Sequence, residues 1–224
     1  MKDNSVFLKY NCIGILGGTF NPIHNGHIML AQKAMKQFSD IEKIIILPNN
    51  KPAYKGTNEI ISPKERIKLI NQAVSSFDFC EVSDAEIKRG GITYTYDTLK
   101  DIYMINPYIK IYYIVGADSL FTIDKWHRYK DVLKMCTLLV AKRNSDYDDM
   151  KKCAEKLCKE NKAARIEFIK SPNMNISSSL IRRFIMRNSD SFDKDTSKRL
   201  EEYLERRVPE KVKNYILKNR LYFN

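Results

Sequence analysis

Five short apolar runs, at residues 12–17, 44–47, 111–115, 137–141 and 166–169, are each separated from the next by a stretch long enough to hold at least one helix. Runs this short and this rich in apolar residues read as strands buried on both faces, which is the habit of parallel sheets. Parallel neighbours need a crossover connection, so the chain is constrained to an α/β architecture: a mainly parallel sheet with helices on both faces. The first run ends at Gly17-Gly18, and Pro22 opens a stretch with helical period at Ile28, Ala31 and Met35. A second helix starts at Ser62-Pro63, with Ser62 as N-cap and Glu65 as its capping-box partner. Met150, Cys153, Ala154, Leu157 and Cys158 form one helical stripe between Asp149 and Lys159. Beyond Ile169 the pattern is wholly helical: a segment from Ser178 to Arg187, a polar stretch from Asn188 to Thr196 that reads as a surface loop, then two helices divided at Pro209.

At 224 residues the chain has room for one sizeable domain and an appendage. The division implied is residues 1–175 as a nucleotide-binding α/β domain and 176–224 as a C-terminal helical segment packed on it, within one functional unit. The apolar runs fall far below the ~20 residues that cross a bilayer, and no apolar segment follows Met1, so membrane insertion and secretion are disfavoured. Five cysteines without a CxxC pair support neither a disulfide framework nor a zinc site, and point to reduced thiols in the cytoplasm, with nuclear access left open. A net charge of +12 calls for a polyanionic partner.

The densest chemistry lies in Gly17-Gly18-Thr19-Phe20-Asn21-Pro22-Ile23-His24-Asn25-Gly26-His27, between a strand end and a helix start. Glycines let backbone N–H groups approach a phosphate, the helix start adds partial positive charge, and histidines add further donors. The spacing matches neither GxGxxG nor the P-loop. A second group, Ile176-Ser177-Ser178-Ser179-Leu180-Ile181-Arg182-Arg183, sets hydroxyls before a helix with arginine in its first turns. Ser177 or Ser178 reads either as a plain N-cap or as part of a phosphate clamp with Arg182. Arg183 lies on another side of that helix.

With GGTFNPIHNGH followed by ISSSLIR, the chain resembles the nucleotidyltransferases with an HxGH motif, and specifically the bacterial-type nicotinate (nicotinamide) mononucleotide adenylyltransferases. LPNNKPAYK (Leu47 to Lys55), PKERIKLINQAV (Pro63 to Val74), EIKRGGITYTYDTL (Glu86 to Leu99), GADSLFTIDKWHRYKDVL (Gly116 to Leu133) and VPEKVKNYI (Val208 to Ile216) match in order along nearly the whole chain. The resemblance implies a Rossmann-like sheet with a small C-terminal helical cap. It implies that Gly17, Gly18, Thr19, Phe20, His24 and His27 hold ATP phosphates, that Ser177, Ser178 and Arg182 complete the clamp, and that His24, His27 and Arg182 are the catalytic set. Gly116 and Asp118 then border the sugar or adenine, and Arg143 matches a basic position near the nucleotide. Tyr94, Thr95, Trp126 and the backbone of His127 form the pyridine pocket, while Lys51 and Lys55 meet the mononucleotide phosphate. Asn21 stands where such enzymes usually carry Asp, Ala53-Tyr54 where they usually carry Pro-His, His127 where Tyr is common, and the stretch between Arg187 and Val208 is longer than usual.

The implied reaction is attack by a mononucleotide phosphate oxygen on the α-phosphorus of ATP, giving a dinucleotide and pyrophosphate. The nucleophile arrives ionised, so the site needs positioning and charge stabilisation rather than a general base. Mg²⁺ enters held mainly by ATP phosphates and water. The predicted donors favour nicotinate mononucleotide over the amide, since a carboxylate only accepts hydrogen bonds. Pantetheine-phosphate adenylyltransferases and cytidylyltransferases lack the YTxDT and GAD-to-Trp blocks, and a basic nucleic-acid-binding module would have no use for His24 and His27.

Overall fold

The computed structural model describes residues 5–53, 60–141, 147–170, 176–188 and 194–223. All five apolar runs are strands: they lie in β1 (Cys12–Gly18), β2 (Lys43–Pro48), β6 (Lys110–Val115), β7 (Thr137–Ala141) and β8 (Arg165–Ile169). A short edge strand, β4 (Cys80–Val82), completes a six-stranded sheet in the order β4-β2-β1-β6-β7-β8, every pair parallel. A separate two-stranded pair joins β3 (Lys51–Pro52) to β5 (Ile92–Thr93). The fold is Rossmann-like.

Alternation along each strand divides the core into two layers. Leu16, Ile44, Ile46, Tyr112, Ile114 and Leu139 face one side, where they meet α1 (Asn25–Gln37) and α2 (Pro63–Val74). Ile13, Ile15, Ile45, Tyr113, Leu138 and Val140 face the other. That side is covered by α4 (Thr95–Ile105), α5 (Ala117–Leu120), α6 (Tyr129–Met135) and α7 (Tyr147–Glu160), with α3 (Ala85–Arg89) ahead of them. Because successive side chains point to opposite faces, a strand apolar at every position has to be covered twice.

The C-terminal helices α8 (Ser178–Arg187), α9 (Lys194–Glu205) and α10 (Glu210–Lys218) extend the first layer, adding Ile181, Ile185, Leu200, Leu204, Val212 and Ile216 to it. Two sequence readings need correction here. Lys194 to Thr196 belong to α9 rather than to a loop, Asn188 caps α8, and residues 189–193 lie outside the described residues. Ser62 does cap α2, its Oγ accepting from the Glu65 N–H at 3.2 Å, but the Glu65 carboxylate turns away from the cap. It accepts instead from the Tyr215 hydroxyl at 2.8 Å and from Lys68 at 3.2 Å, so an expected local cap is spent on docking α10. All five cysteines are free thiols, and among the described residues no helix is long and apolar enough to cross a membrane.

Candidate active site

Strand order reverses beside β1: the chain runs to β2 on one side and later returns to β6 on the other. In open parallel sheets ligands bind beyond the carboxyl ends of the strands at such a point. Here a cleft of about 780 Å³ opens there, bordered by Gly17 to Thr19 at the end of β1, Asn49 after β2, Val115 and Gly116 at the end of β6, and the start of α8.

The glycine turn is packed tightly. A Cβ on Gly17 would run into the Tyr113 hydroxyl from the neighbouring strand. The Gly18 carbonyl accepts from the Asn49 N–H at 3.0 Å, and the Asn49 side-chain amide donates to Thr19 Oγ1 at 3.2 Å. Phe20, with φ of 50°, folds its buried ring under Gly18 and edge-on to His27 at 5.0 Å. The Asn21–Pro22 peptide is cis.

His24 occupies the N-cap of α1, and its backbone N–H donates to His27 Nδ1 at 3.1 Å. A neutral imidazole whose Nδ1 accepts carries its proton on Nε2, so this bond fixes the His27 tautomer as an Nε2–H donor. The His24 ring stacks on His27 with centroids 3.7 Å apart and 22° between planes. A Cβ on Gly26 would come within 3.1 Å of the His24 ring, which accounts for the glycine between the two histidines. Burial pushes the His24 pKa down to about 4, so at neutral pH it is an uncharged imidazole. Both rings line the cleft.

Ser177 and Ser178 face the turn from the start of α8. Ser177 Oγ accepts from the Leu180 N–H at 3.2 Å as an N-cap, and Ser178 Oγ donates to the Pro22 carbonyl at 2.8 Å, tying α8 to the glycine loop. Arg182 reaches the same loop from behind: Nη1 donates to the Asn21 carbonyl at 2.9 Å, and the residue does not border the cleft. Arg183 is exposed.

Tyr94, Thr95, Trp126 and His127 also line the cleft. The Tyr94 and His127 rings lie 4.9 Å apart, and Trp126 stands edge-on to Tyr113 at 6.3 Å. Arg128, next in the chain, adopts a left-handed conformation with its guanidinium 4.0 Å from the Tyr96 ring centre and paired with Asp131. Gly116 and Asp118 border the cleft as well. Lys51 is exposed beside the entrance, where Pro52 and Ala53 form the wall instead. Lys55 and Arg143 lie outside the described residues.

Among the cleft residues that carried no role in the sequence reading, three stand out. Asn49 follows a buried strand, where loop residues project into the crevice, and that placement was a usable signal. Tyr113 hides inside an apolar run. Glu86, on α3, is buried at 3% exposure, accepts from Thr98 Oγ1 at 2.6 Å, and is pushed up to a pKa of about 7 by burial. Thr98 in turn accepts from Arg89, which pairs with Asp101 at 3.0 Å. Among the described residues no group of three or more His, Cys, Asp or Glu is placed to hold a metal ion. The donors gathered around the glycine turn are N–H groups, hydroxyls and imidazoles, a set for binding anions.

A cytidylyltransferase-like family model matches residues 15–184. The chain is 36% identical over 212 residues to a "probable nicotinate-nucleotide adenylyltransferase" of Lachnoclostridium phytofermentans, spanning 94% of this chain and 98% of that protein. It is 35% identical over 211 residues to a similarly described protein of Clostridium novyi, spanning 93% and 98%. Among solved structures, the nicotinic acid mononucleotide adenylyltransferase of Plasmodium falciparum complexed with APC is similar with a TM-score of 0.71 at 20% identity, covering 95% of this chain and 98% of that one. The same enzyme complexed with NaAD also gives 0.71, at 19% identity over the same shares. At those identities the structural likeness speaks for the fold.

Proposed function

Since the chain belongs to the nicotinate-nucleotide adenylyltransferase family, we propose that its cleft holds ATP over the glycine turn and a pyridine mononucleotide against its aromatic residues. The reaction is adenylyl transfer from ATP to nicotinate or nicotinamide mononucleotide, giving the dinucleotide and pyrophosphate. The observation that carries the assignment is the shared cleft itself. Its lining combines the Gly17-Gly18-Thr19 turn, the stacked histidines and the α8 start with Tyr94, Thr95, Trp126 and His127.

In this reading the His27 Nε2–H and the neutral His24 ring donate to the transferring phosphate and the leaving pyrophosphate. Donors aimed where charge develops are worth several kcal/mol in a site shielded from water. Thr19, the Phe20 backbone, Ser177 and Ser178 hold the triphosphate, and Arg182 braces the loop while adding positive charge behind it. Gly116 and Asp118 meet the ribose or adenine, and Lys51, Lys55 and Arg143 supply basic groups at the phosphates. Mg²⁺ comes in as part of the ATP substrate, which fits a donor set built for anions rather than for a resident cation. The α/β unit and the helical cap of residues 176–224 act together, because the cap supplies the α8 wall. The Thr95 hydroxyl and N–H groups near Trp126 and His127 favour a carboxylate on the pyridine ring. Free thiols fit a cytoplasmic location.

The test is a coupled assay with ATP, Mg²⁺ and either mononucleotide, scored for dinucleotide and pyrophosphate. Expected is turnover with both products in equal amounts and kcat/KM at least ~10-fold higher for the acid. Absence of turnover with both substrates would reject the assignment, and preference for the amide would reject the carboxylate pocket.

A further inference from the structure

The glycine turn is held from behind by a side chain that never reaches the cleft. Arg66, on α2, is fully buried at 0% exposure. Its Nη1 donates to the Thr19 carbonyl at 2.9 Å and its Nη2 to the Asn50 carbonyl at 3.2 Å. Its Nε meets no acceptor, and no carboxylate pairs with it, among the described residues. A guanidinium keeps its charge on burial, and a buried charge without a counter-ion is costly. Neutral donors would satisfy two carbonyls at lower cost, so a bracing role alone does not account for an arginine here.

Peptide geometry supplies the missing role. In a trans peptide the C=O and N–H point in opposite directions, and the Thr19–Phe20 bond is trans. With the Thr19 carbonyl drawn back to Arg66, the N–H of the same peptide, that of Phe20, points away from Arg66; Thr19 borders the cleft, while the buried Phe20 side chain does not. That N–H donates to no acceptor among the described residues. The Gly18 carbonyl, one peptide earlier, is likewise turned aside by Asn49. The left-handed φ of Phe20, which a bulky residue seldom adopts, belongs to the same arrangement. Were the Thr19–Phe20 peptide to flip, a carbonyl lone pair would replace an N–H at the polyphosphate.

We infer that Arg66 is a positioning residue for phosphoryl transfer, locking the Thr19–Phe20 peptide so that the Phe20 N–H is presented to the polyphosphate, and placing beneath the loop a positive charge that no carboxylate among the described residues pairs. The inference rests on the reading of the cleft as an ATP site.

Kinetics of Arg66→Lys and Arg66→Gln test it first. Lys keeps the charge without the fork that spans two carbonyls, and Gln removes the charge. Both variants raise the KM for ATP, by roughly 10-fold or more for Gln, while the KM for the mononucleotide stays put. An unchanged ATP KM in a folded Gln variant, or an equal rise in both KM values, overturns the inference. A second measurement needs no variant. Thr19-Phe20 is the only Thr-Phe dipeptide in the chain, so labelling with ¹³C-carbonyl threonine and ¹⁵N-phenylalanine isolates one amide signal. Titration with inorganic pyrophosphate moves that proton downfield as it gains an anionic acceptor, and a signal unmoved at saturation overturns the inference. If the wild-type protein transfers no adenylyl group, the functional reading fails, and the pyrophosphate titration still decides whether this N–H meets polyphosphate.

Discussion

Acidification acts on two buried groups in the cleft wall with opposite signs. His24 has a folded-state pKa of about 4 against an ordinary 6.5. The unfolded chain therefore takes up that proton first, and stability falls as pH drops from about 6.5 towards 4. Glu86 has a folded-state pKa of about 7 against an ordinary 4.5. There the folded state takes up the proton first, and stability rises as pH drops from about 7 to 4.5. Each gap is about 2.5 units, and at about 1.36 kcal/mol per unit the change realised between pH 7 and 4.5 is about 2.5 kcal/mol, negative for His24 and positive for Glu86. In the wild-type protein the two cancel. Glu86→Gln exposes the histidine, so acidification costs that variant about 2.5 kcal/mol more than wild type. His24→Asn exposes the carboxyl and shifts the balance the other way by a similar amount, and the double variant returns to the wild-type pH profile. Urea unfolding of the four proteins at pH 7 and 4.5 measures this directly. Exposed pairs such as Lys110–Asp40 and Arg128–Asp131 titrate alike in all four and drop out of the differences. Parallel pH profiles for wild type and both single variants would refute the reasoning, because they would mean that neither group is desolvated.

His27→Ala removes the Nε2–H donor and lowers kcat by roughly 10²-fold; a folded variant with wild-type kcat would end that role. Arg182→Ala strips the Asn21 carbonyl of its donor and costs about 1–3 kcal/mol of stability along with weaker ATP binding, whereas exposed Arg183→Ala stays within about 0.5 kcal/mol. Thermal melts and ATP KM values of the two variants check the ranking. Gly17→Ala drives a methyl into the Tyr113 hydroxyl and costs roughly 1–3 kcal/mol, and Tyr113→Phe in the same chain restores part of the loss. Melting the single and double variants distinguishes this from a backbone effect, which the second change would not relieve.

The strands of the central sheet were legible because burial on both faces leaves no polar position within a run such as Ile44-Ile45-Ile46-Leu47. The edge strand Cys80-Glu81-Val82 was not, since it is three residues long with a glutamate at its centre, whereas β8, the other edge strand, carries Glu167 but still shows Ile166, Phe168 and Ile169. The start of α9 was hidden for a related reason: its first turn is polar, and the helix is anchored further on by Leu200 and Leu204. Local chemistry such as Gly17 to His27 reads directly, because turn, cap and donors are contiguous. What fails is any role decided by distant packing. Glu65 carries the capping-box pattern, yet Tyr215, 150 positions away in the chain, takes its carboxylate. Glu86 and Arg66 look like ordinary surface charges in sequence, and only the packing of α4 and of the glycine loop against them removes the water.

Asn21 shows how a departure from the family pattern and the C-terminal cap depend on one another. The residue is buried at 3% exposure, its Oδ1 accepts from the Ile61 N–H at 3.3 Å and the Tyr222 hydroxyl at 3.1 Å, and its carbonyl accepts from Arg182. An aspartate here would accept the same bonds, but its charge would sit among the same groups as the Arg66 and Arg182 guanidiniums, both of which act on Tyr222. It would offset part of the positive field under the glycine loop. The amide keeps the acceptor and leaves that field undiminished. Its cost is a buried neutral carbonyl oxygen that still needs donors, and the tail after α10 provides one. Burial pushes the Tyr222 pKa far up, so its hydroxyl remains a donor at any working pH. The tail, α8 through Ser178 and Arg182, and α2 through Arg66 therefore converge on Thr19, Asn21 and Pro22, three of the four residues that follow the glycine pair. A loop built to expose N–H groups on one side has to satisfy its carbonyls on the other, and here that second task falls largely to residues outside the glycine motif.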